Sequence, residues 1–100
     1  MQEPDIHHLA EVFKGAGNHR RLIILIVLQR YPSLPLEGIC HHAGSTLTTI
    51  SEHTRRLALA GLIRKRYRGR EVHHTLAPLG HRILGFLPSL LTPNHDRVRT

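Results

Sequence analysis

A mainly α-helical domain with one small β-hairpin is the fold class this sequence predicts, and three observations carry the prediction. An apolar run from Leu22 to Leu28 is bracketed by a capping Asn18 and a Tyr31-Pro32 stop. Two shorter segments then meet at Gly44, as helices joined by a tight turn do. Beyond Gly61, two extended stretches flank Arg68-Gly69, where glycine supplies the positive φ of a hairpin. One hundred residues fit one domain, predicted over 1–91, with 92–100 as a polar C-terminal tail.

Ile6, Leu9, Ala10 and Phe13 fall at i, i+3, i+4 and i+7, one apolar stripe on a first helix over 5–14 that Gly15 and Gly17 stop. The second helix, 19–29, is apolar on all sides at its centre, so it is the expected buried hub. Its β-branched residues also suit a strand, but the cap, the preceding basic turn and the proline stop decide for a helix. Pro32 and Pro35 bracket a short extended link into a third helix, 36–43, closed by Gly44. Ser45 or Thr46 caps a fourth helix running to Ala60, with Gly61 as its terminator. Strands over 62–67 and 70–76 form the hairpin. Pro78 opens a last helix carrying Leu79, Ile83, Leu84, Leu87, Leu90 and Leu91, which Pro88 kinks or ends. The sum is a winged helix-turn-helix of about five helices plus a two-stranded wing.

Charge points to the partner. Fourteen Lys and Arg face seven Asp and Glu, a formal charge of +7, and all the basic residues but Lys14 and Lys65 are Arg. Such a balance suits a polyanion, and arginine's planar fork suits phosphate and guanine. The longest apolar run is far below the roughly 20 residues of a bilayer span. The acidic start, with Glu3 and Asp5, differs from a secretory leader. Cys40 is the only cysteine, so no intrachain disulfide is possible. A cytoplasmic protein without cofactor is expected. With no glycine-rich phosphate loop, no metal-ligand motif, and both aspartates, Asp5 and Asp96, near the ends, catalysis is not expected either.

From about Lys14 to Ile83 the chain resembles the ArsR/SmtB-type winged-helix repressors, with a weaker likeness to MarR- and HxlR-type regulators in the last helix. Gly17-Asn18-His19-Arg20-Arg21-Leu22-Ile23-Ile24-Leu25 is similar to the family's opening second helix. Thr48-Thr49-Ile50-Ser51-Glu52-His53, through Leu57 to Ala60-Gly61-Leu62-Ile63, is similar to its recognition helix, and the stretch from Arg66 to Pro78 to its wing. The resemblance implies a DNA-binding transcriptional repressor. Departures are Thr54 in place of a core leucine, Ser45 in place of an apolar residue, and His73-His74 in place of paired aromatics. The cysteine pair of the arsenic and cadmium sensors is missing, because Leu36, Gly38 and Ile39 are not soft ligands. The acidic and His set of the zinc sensors' last helix is missing too, leaving His81 and His95.

The residues themselves place a DNA-reading face on the fourth helix. Thr48, Ser51, Glu52 and Arg55 recur at helical spacing opposite Ile50 and Leu57, with Thr46, Thr49 and Arg56 beside them. Arg55 suits guanine, Thr48 and Ser51 suit bases or phosphates, and Glu52 suits the cytosine amino group. An ordinary solvated helix face with a Glu52–Arg56 pair is the alternative. Leu47 is read as core in preference to a thymine-methyl contact. On the hairpin, Arg64, Lys65, Arg66, Arg68 and Arg70 are expected to meet phosphates or the minor groove, or else to guard an edge strand against aggregation. Arg20 and Arg21 suit either phosphate contact or a solvated helix start.

The stripe Ile6-Leu9-Ala10-Phe13 and the leucines from Leu79 to Leu91, Leu84 and Leu87 among them, exceed what one small core covers. They predict a homodimer through the first and last helices on double-stranded DNA, with half-sites roughly 34 Å apart. Two other regulatory readings are a metal response through His7, His8, Glu11, His81 or His95 across a dimer, and a redox response through Cys40. Cys40, His41 and His42 are consecutive on a helix and fan apart, which disfavours one shared ion. His53 and His73 are the expected sources of any pH dependence. A winged-helix module that holds a protein partner, without specific DNA binding, is the rival class.

Overall fold

The computed structural model describes residues 1–91; the predicted tail, with His95 and Asp96, lies outside them. Five α-helices, a three-stranded antiparallel sheet and a closing 3-10 turn follow in the order α1 (Glu3–Ala16), α2 (His19–Arg30), β1 (Leu34–Pro35), α3 (Leu36–Ala43), α4 (Leu47–Leu59), β2 (Ile63–Arg68), β3 (Glu71–Leu76), α5 (Pro78–Phe86) and the 3-10 turn Leu87–Leu91.

Asn18 caps α2 as its sequence suggests, its side chain accepting from the Arg20 and Arg21 amides at 3.0 and 3.2 Å. Buried Ile24, Leu25 and Leu28 of α2 meet Ile39 of α3, Ile50 and Leu57 of α4, Leu62 and Ile63 at the root of β2, and Leu76 of β3. The predicted hub is real, though not on every side: Ile26 is exposed. Between Thr46 and Ser45, Thr46 is the α4 cap, accepting from the Thr49 amide at 3.3 Å. At the far end of α4, Gly61 takes φ 78° and the Leu62 amide reaches back to the Leu57 carbonyl at 2.9 Å, a closure that favours glycine.

Several expectations are corrected. Helix α1 starts two residues earlier than predicted, at Glu3, where the Asp5 carboxylate accepts from the Gln2 amide at 2.9 Å. Gly15 does not stop it; the helix runs through to Ala16 because Gly15 is a packing residue against Ala60. What α1 buries is Val12, Gly15 and Ala16, while Ile6, Leu9 and Phe13 stay exposed. Leu47, read as core, is also exposed, although it stands one turn before buried Ile50: as the first residue of α4 it lies at the edge of the buried face. Leu84, expected in the interface between chains, is buried within its own chain. As expected of Pro88, which has no amide to donate, α5 ends ahead of it, at Phe86, and passes into the 3-10 turn Leu87–Leu91.

The wing also differs. The link between α2 and α3 is itself a strand, so the sheet has three members in the order β1-β3-β2, with Leu34 opposite His74 and Pro35 opposite His73. Two residues ending in proline give almost no strand signal, yet proline is tolerated on an edge. The hairpin turn is Gly69-Arg70 and not Arg68-Gly69, since Arg68 pairs with Glu71 across it. Gly69 alone has positive φ there, 60°, which fits a II′ turn with its glycine first.

Candidate nucleic-acid interface

Helices α3 and α4, joined by Gly44-Ser45-Thr46, make the helix-turn-helix, and the sheet stands beside them. Gly44 carries the turn with φ 65°. Burying Ile50, Thr54 and Leu57 turns the opposite face of α4 outward, so Thr48, Ser51, Glu52, Arg55 and Arg56 are all exposed. Thr54 fits where a leucine was expected because its hydroxyl donates to the Ser51 carbonyl at 3.0 Å. Thr46 and Thr49 engage each other: the Thr46 hydroxyl donates to that of Thr49 at 2.9 Å. Both therefore shape the start of the helix before they touch anything else.

Glu52 organises the cationic end of this face. Arg55 donates to its carboxylate through Nη2 and Nε at 2.8 and 3.1 Å, and Arg56 through Nε at 3.1 Å. These bonds, the Arg55 pair first, hold the Glu52 carboxyl down at about 2, so it is ionised throughout the working pH range. The predicted Glu52–Arg56 pair is present, and Arg55 joins it. Both guanidiniums keep further donors turned to solvent.

Alternation along the hairpin divides the wing's charge between two faces. Ile63, Lys65 and Tyr67 stand opposite Leu76, His74 and Val72; Arg64, Arg66 and Arg68 stand opposite Thr75, His73 and Glu71. Lys65, Val72 and His74 of the first set line an open groove against Ser51 and Thr54 of α4, together with Arg70 and the carboxylates Glu37 and Glu71. Arg66 and Arg68 line a depression on the other side, with Gln29, Ser33 and His81. The five wing cations are thus not one patch. Tyr67 was absent from the residues expected as contacts, although the two-residue period counted from apolar Ile63 puts it on the same face as Lys65.

The remaining candidates fall elsewhere. Arg21 donates through Nη1 to the Gly15 carbonyl at 2.9 Å and the Lys14 carbonyl at 3.3 Å, tying the end of α1 to the start of α2, while Arg20 is exposed. His53 is half-buried, not beside the open face, and burial followed by the Arg21 and Arg20 charges pushes its pKa down. His73 lies between Ser33 Oγ at 3.1 Å and the Glu71 carboxylate at 3.0 Å. His74 is buried against the Leu34 carbonyl at 3.4 Å. His42 stacks on Tyr31, ring centres 3.9 Å apart. Burial, then Glu37, raises the Cys40 pKa, the opposite of an activated thiolate. Among the described residues no three His, Cys, Asp or Glu converge as metal ligands, and no helix is long and apolar enough to cross a membrane.

No family model matches this chain, and no curated protein is significantly similar in sequence. Solved structures are similar. The homodimeric winged helix-turn-helix DNA-binding domain of Mb0332 from Mycobacterium bovis, described as a possible ArsR-family transcriptional regulator, is 24% identical with a TM-score of 0.82, covering 100% of this chain and 97% of that one. A crystal structure of a possible transcriptional regulatory protein from the same organism is 26% identical, TM-score 0.80, covering 93% and 100%. The transcriptional repressor PagR of Bacillus anthracis is 20% identical, TM-score 0.78, covering 86% and 99%. The fold is a winged helix-turn-helix, and the likeness to ArsR-type regulators read from the sequence extends to the three-dimensional structure.

Proposed function

We propose that this chain is a transcriptional regulator of the repressor type that binds double-stranded DNA in a sequence-specific manner as a homodimer. One observation carries the reading: the exposed polar face of α4, through Ser51, and Lys65 and Arg70 of the wing border one open groove in a chain of net charge +7. Helix α4 enters the major groove, where Thr48, Ser51 and Arg55 address base edges and Arg56 the backbone. Thr46 and Thr49 set the first turn, and Glu52 aims both arginines. Lys65 and Arg70 contact phosphates on the side of the wing that faces α4, while Arg64, Arg66 and Arg68 on the far face add to the attracting field.

Dimerisation is supported by Ile6, Leu9 and Phe13 of α1 and by Phe86, Leu90 and Leu91, large apolar side chains left exposed among the described residues. Mb0332, of the same fold, is homodimeric. An electrophoretic mobility shift titrated with salt tests DNA binding. Affinity is expected to fall with a log–log slope of about −0.9 per phosphate contact, and an affinity flat between about 50 and 200 mM salt rules the reading out.

A further inference from the structure

Every side chain that α4 turns outward over its first two turns is polar except one. Leu47, the first residue of the helix, is 52% exposed, and it shares a shallow depression with Thr48, Ser51 and Glu52 on its own helix and Leu36 on α3. It stands one turn ahead of both Ser51 and buried Ile50, at the border of the two faces of α4, and its exposure sets it with the polar candidates. The residue before it, Thr46, has its hydroxyl engaged with Thr49. The leading edge of α4 therefore presents a branched apolar group where a free hydrogen-bonding group would otherwise stand.

When a helix-turn-helix docks, the N-terminal residues of its second helix meet the base edges. Among the groups displayed in the major groove, the thymine C5-methyl is the apolar one. Purines and cytosine would instead set amino, carbonyl or ring nitrogen groups against a leucine that has no hydrogen bond to return. We infer that Leu47 reads a thymine methyl, and that the half-site bound by each protomer carries a thymine under the start of α4. The inference rests on the DNA-binding reading above and adds to it the identity of one base and the residue that selects it.

The test uses the full chain and a duplex recovered by selection from a random DNA library. Each thymine of that duplex is replaced in turn by uracil, which removes the methyl and nothing else. Binding is measured at about 150 mM salt for the wild-type protein, Leu47→Ala and Leu47→Gln. At one thymine per half-site, uracil is expected to weaken wild-type binding about fourfold, the worth of one buried carbon group. Leu47→Ala is expected to bind thymine and uracil duplexes alike, and reselection with Leu47→Gln to replace that thymine by adenine on the same strand. Should Leu47→Ala lose its fold by circular dichroism, loss of the thymine–uracil difference in Leu47→Gln carries the same point. A wild-type protein indifferent to every uracil replacement, or a difference that persists in both variants, overturns the inference while leaving DNA binding intact. If no duplex is selected at all, the DNA-binding reading itself fails, and Leu47 with it.

Discussion

Gly15 of α1 lies against Ala60 at the end of α4 so closely that a β-carbon on the glycine would overlap the Ala60 methyl. The overlapping atom is the Cβ of the residue that caps α4, fixed to the backbone, so no flexible side-chain end is there to give way. Gly15→Ala is therefore expected to destabilise the chain by about 1–3 kcal/mol, the usual range for overpacking, despite alanine's better helix propensity. Chemical denaturation checks it; a midpoint equal to wild type would contradict the close approach.

Glu52→Gln frees Arg55 and Arg56 from their shared carboxylate and removes a negative charge from the proposed DNA face. Binding to non-specific duplex is expected to tighten about two- to fivefold, in line with exposed ionic contacts, while preference for the selected site narrows because both arginines lose their aim. Competition between selected and random duplexes reads both effects.

The division of the wing into two faces separates its cations. Lys65→Ala and Arg70→Ala, on the side that faces α4, are each expected to make the salt slope shallower by about 0.9. Arg66→Ala, on the far side, is expected to leave the slope unchanged. Equal losses from all three would show that the wing's two faces do not differ in contact.

Phe13 is 57% exposed on α1. Sedimentation of the wild-type chain is expected to give about twice the 11.4 kDa protomer mass, and Phe13→Glu about that mass itself with an unchanged circular dichroism spectrum, since burying carboxylates in a paired apolar face is unfavourable. Leu84→Glu is a poor probe: Leu84 belongs to the protomer's own core.

His74 supplies a pH dependence of stability. Burial first, then Lys65 and His73, depress its pKa, against the opposing Leu34 carbonyl and the Glu37 charge. A histidine held below its ordinary value near 6.5 stabilises the fold while neutral. That contribution is whole above about pH 6.5 and lost as pH falls from there towards the depressed folded value. Denaturation midpoints are expected to drop between about pH 7.5 and pH 5, and the drop to shrink in His74→Phe. His53, on α4 and depressed in the same direction by burial and then by Arg21 and Arg20, adds to the drop.

Much of this was legible where the signal is local. Asn18, Thr46, Gly44 and Gly61 mark helix ends through their own hydrogen bonds or backbone angles, so α2, α3 and α4 could be placed within a residue or so. What escaped depended on other parts of the chain. Gly15 reads as a helix breaker until Ala60 is known to face it, and the strand at Leu34–Pro35 exists only because β3 has a free edge. The apolar period of α1 was correctly seen, but periodicity does not say whether a stripe meets its own core or another molecule. On the wing, charge density concealed the alternation that separates Lys65 from Arg66.

The pairing of β1 with β3 has a mechanical consequence. Leu34 and Pro35 lead directly into α3, and their antiparallel bonds to His73 and His74, with the Ser33–His73 contact, brace the hairpin from the helical side. The wing is consequently not a loose arm that must find the duplex by itself. Held at its root by β1, it stands against α4 like one jaw of a caliper against the other. A gap braced in this way leaves less ordering entropy to be lost on association, and it refuses duplexes of the wrong width without touching a single base.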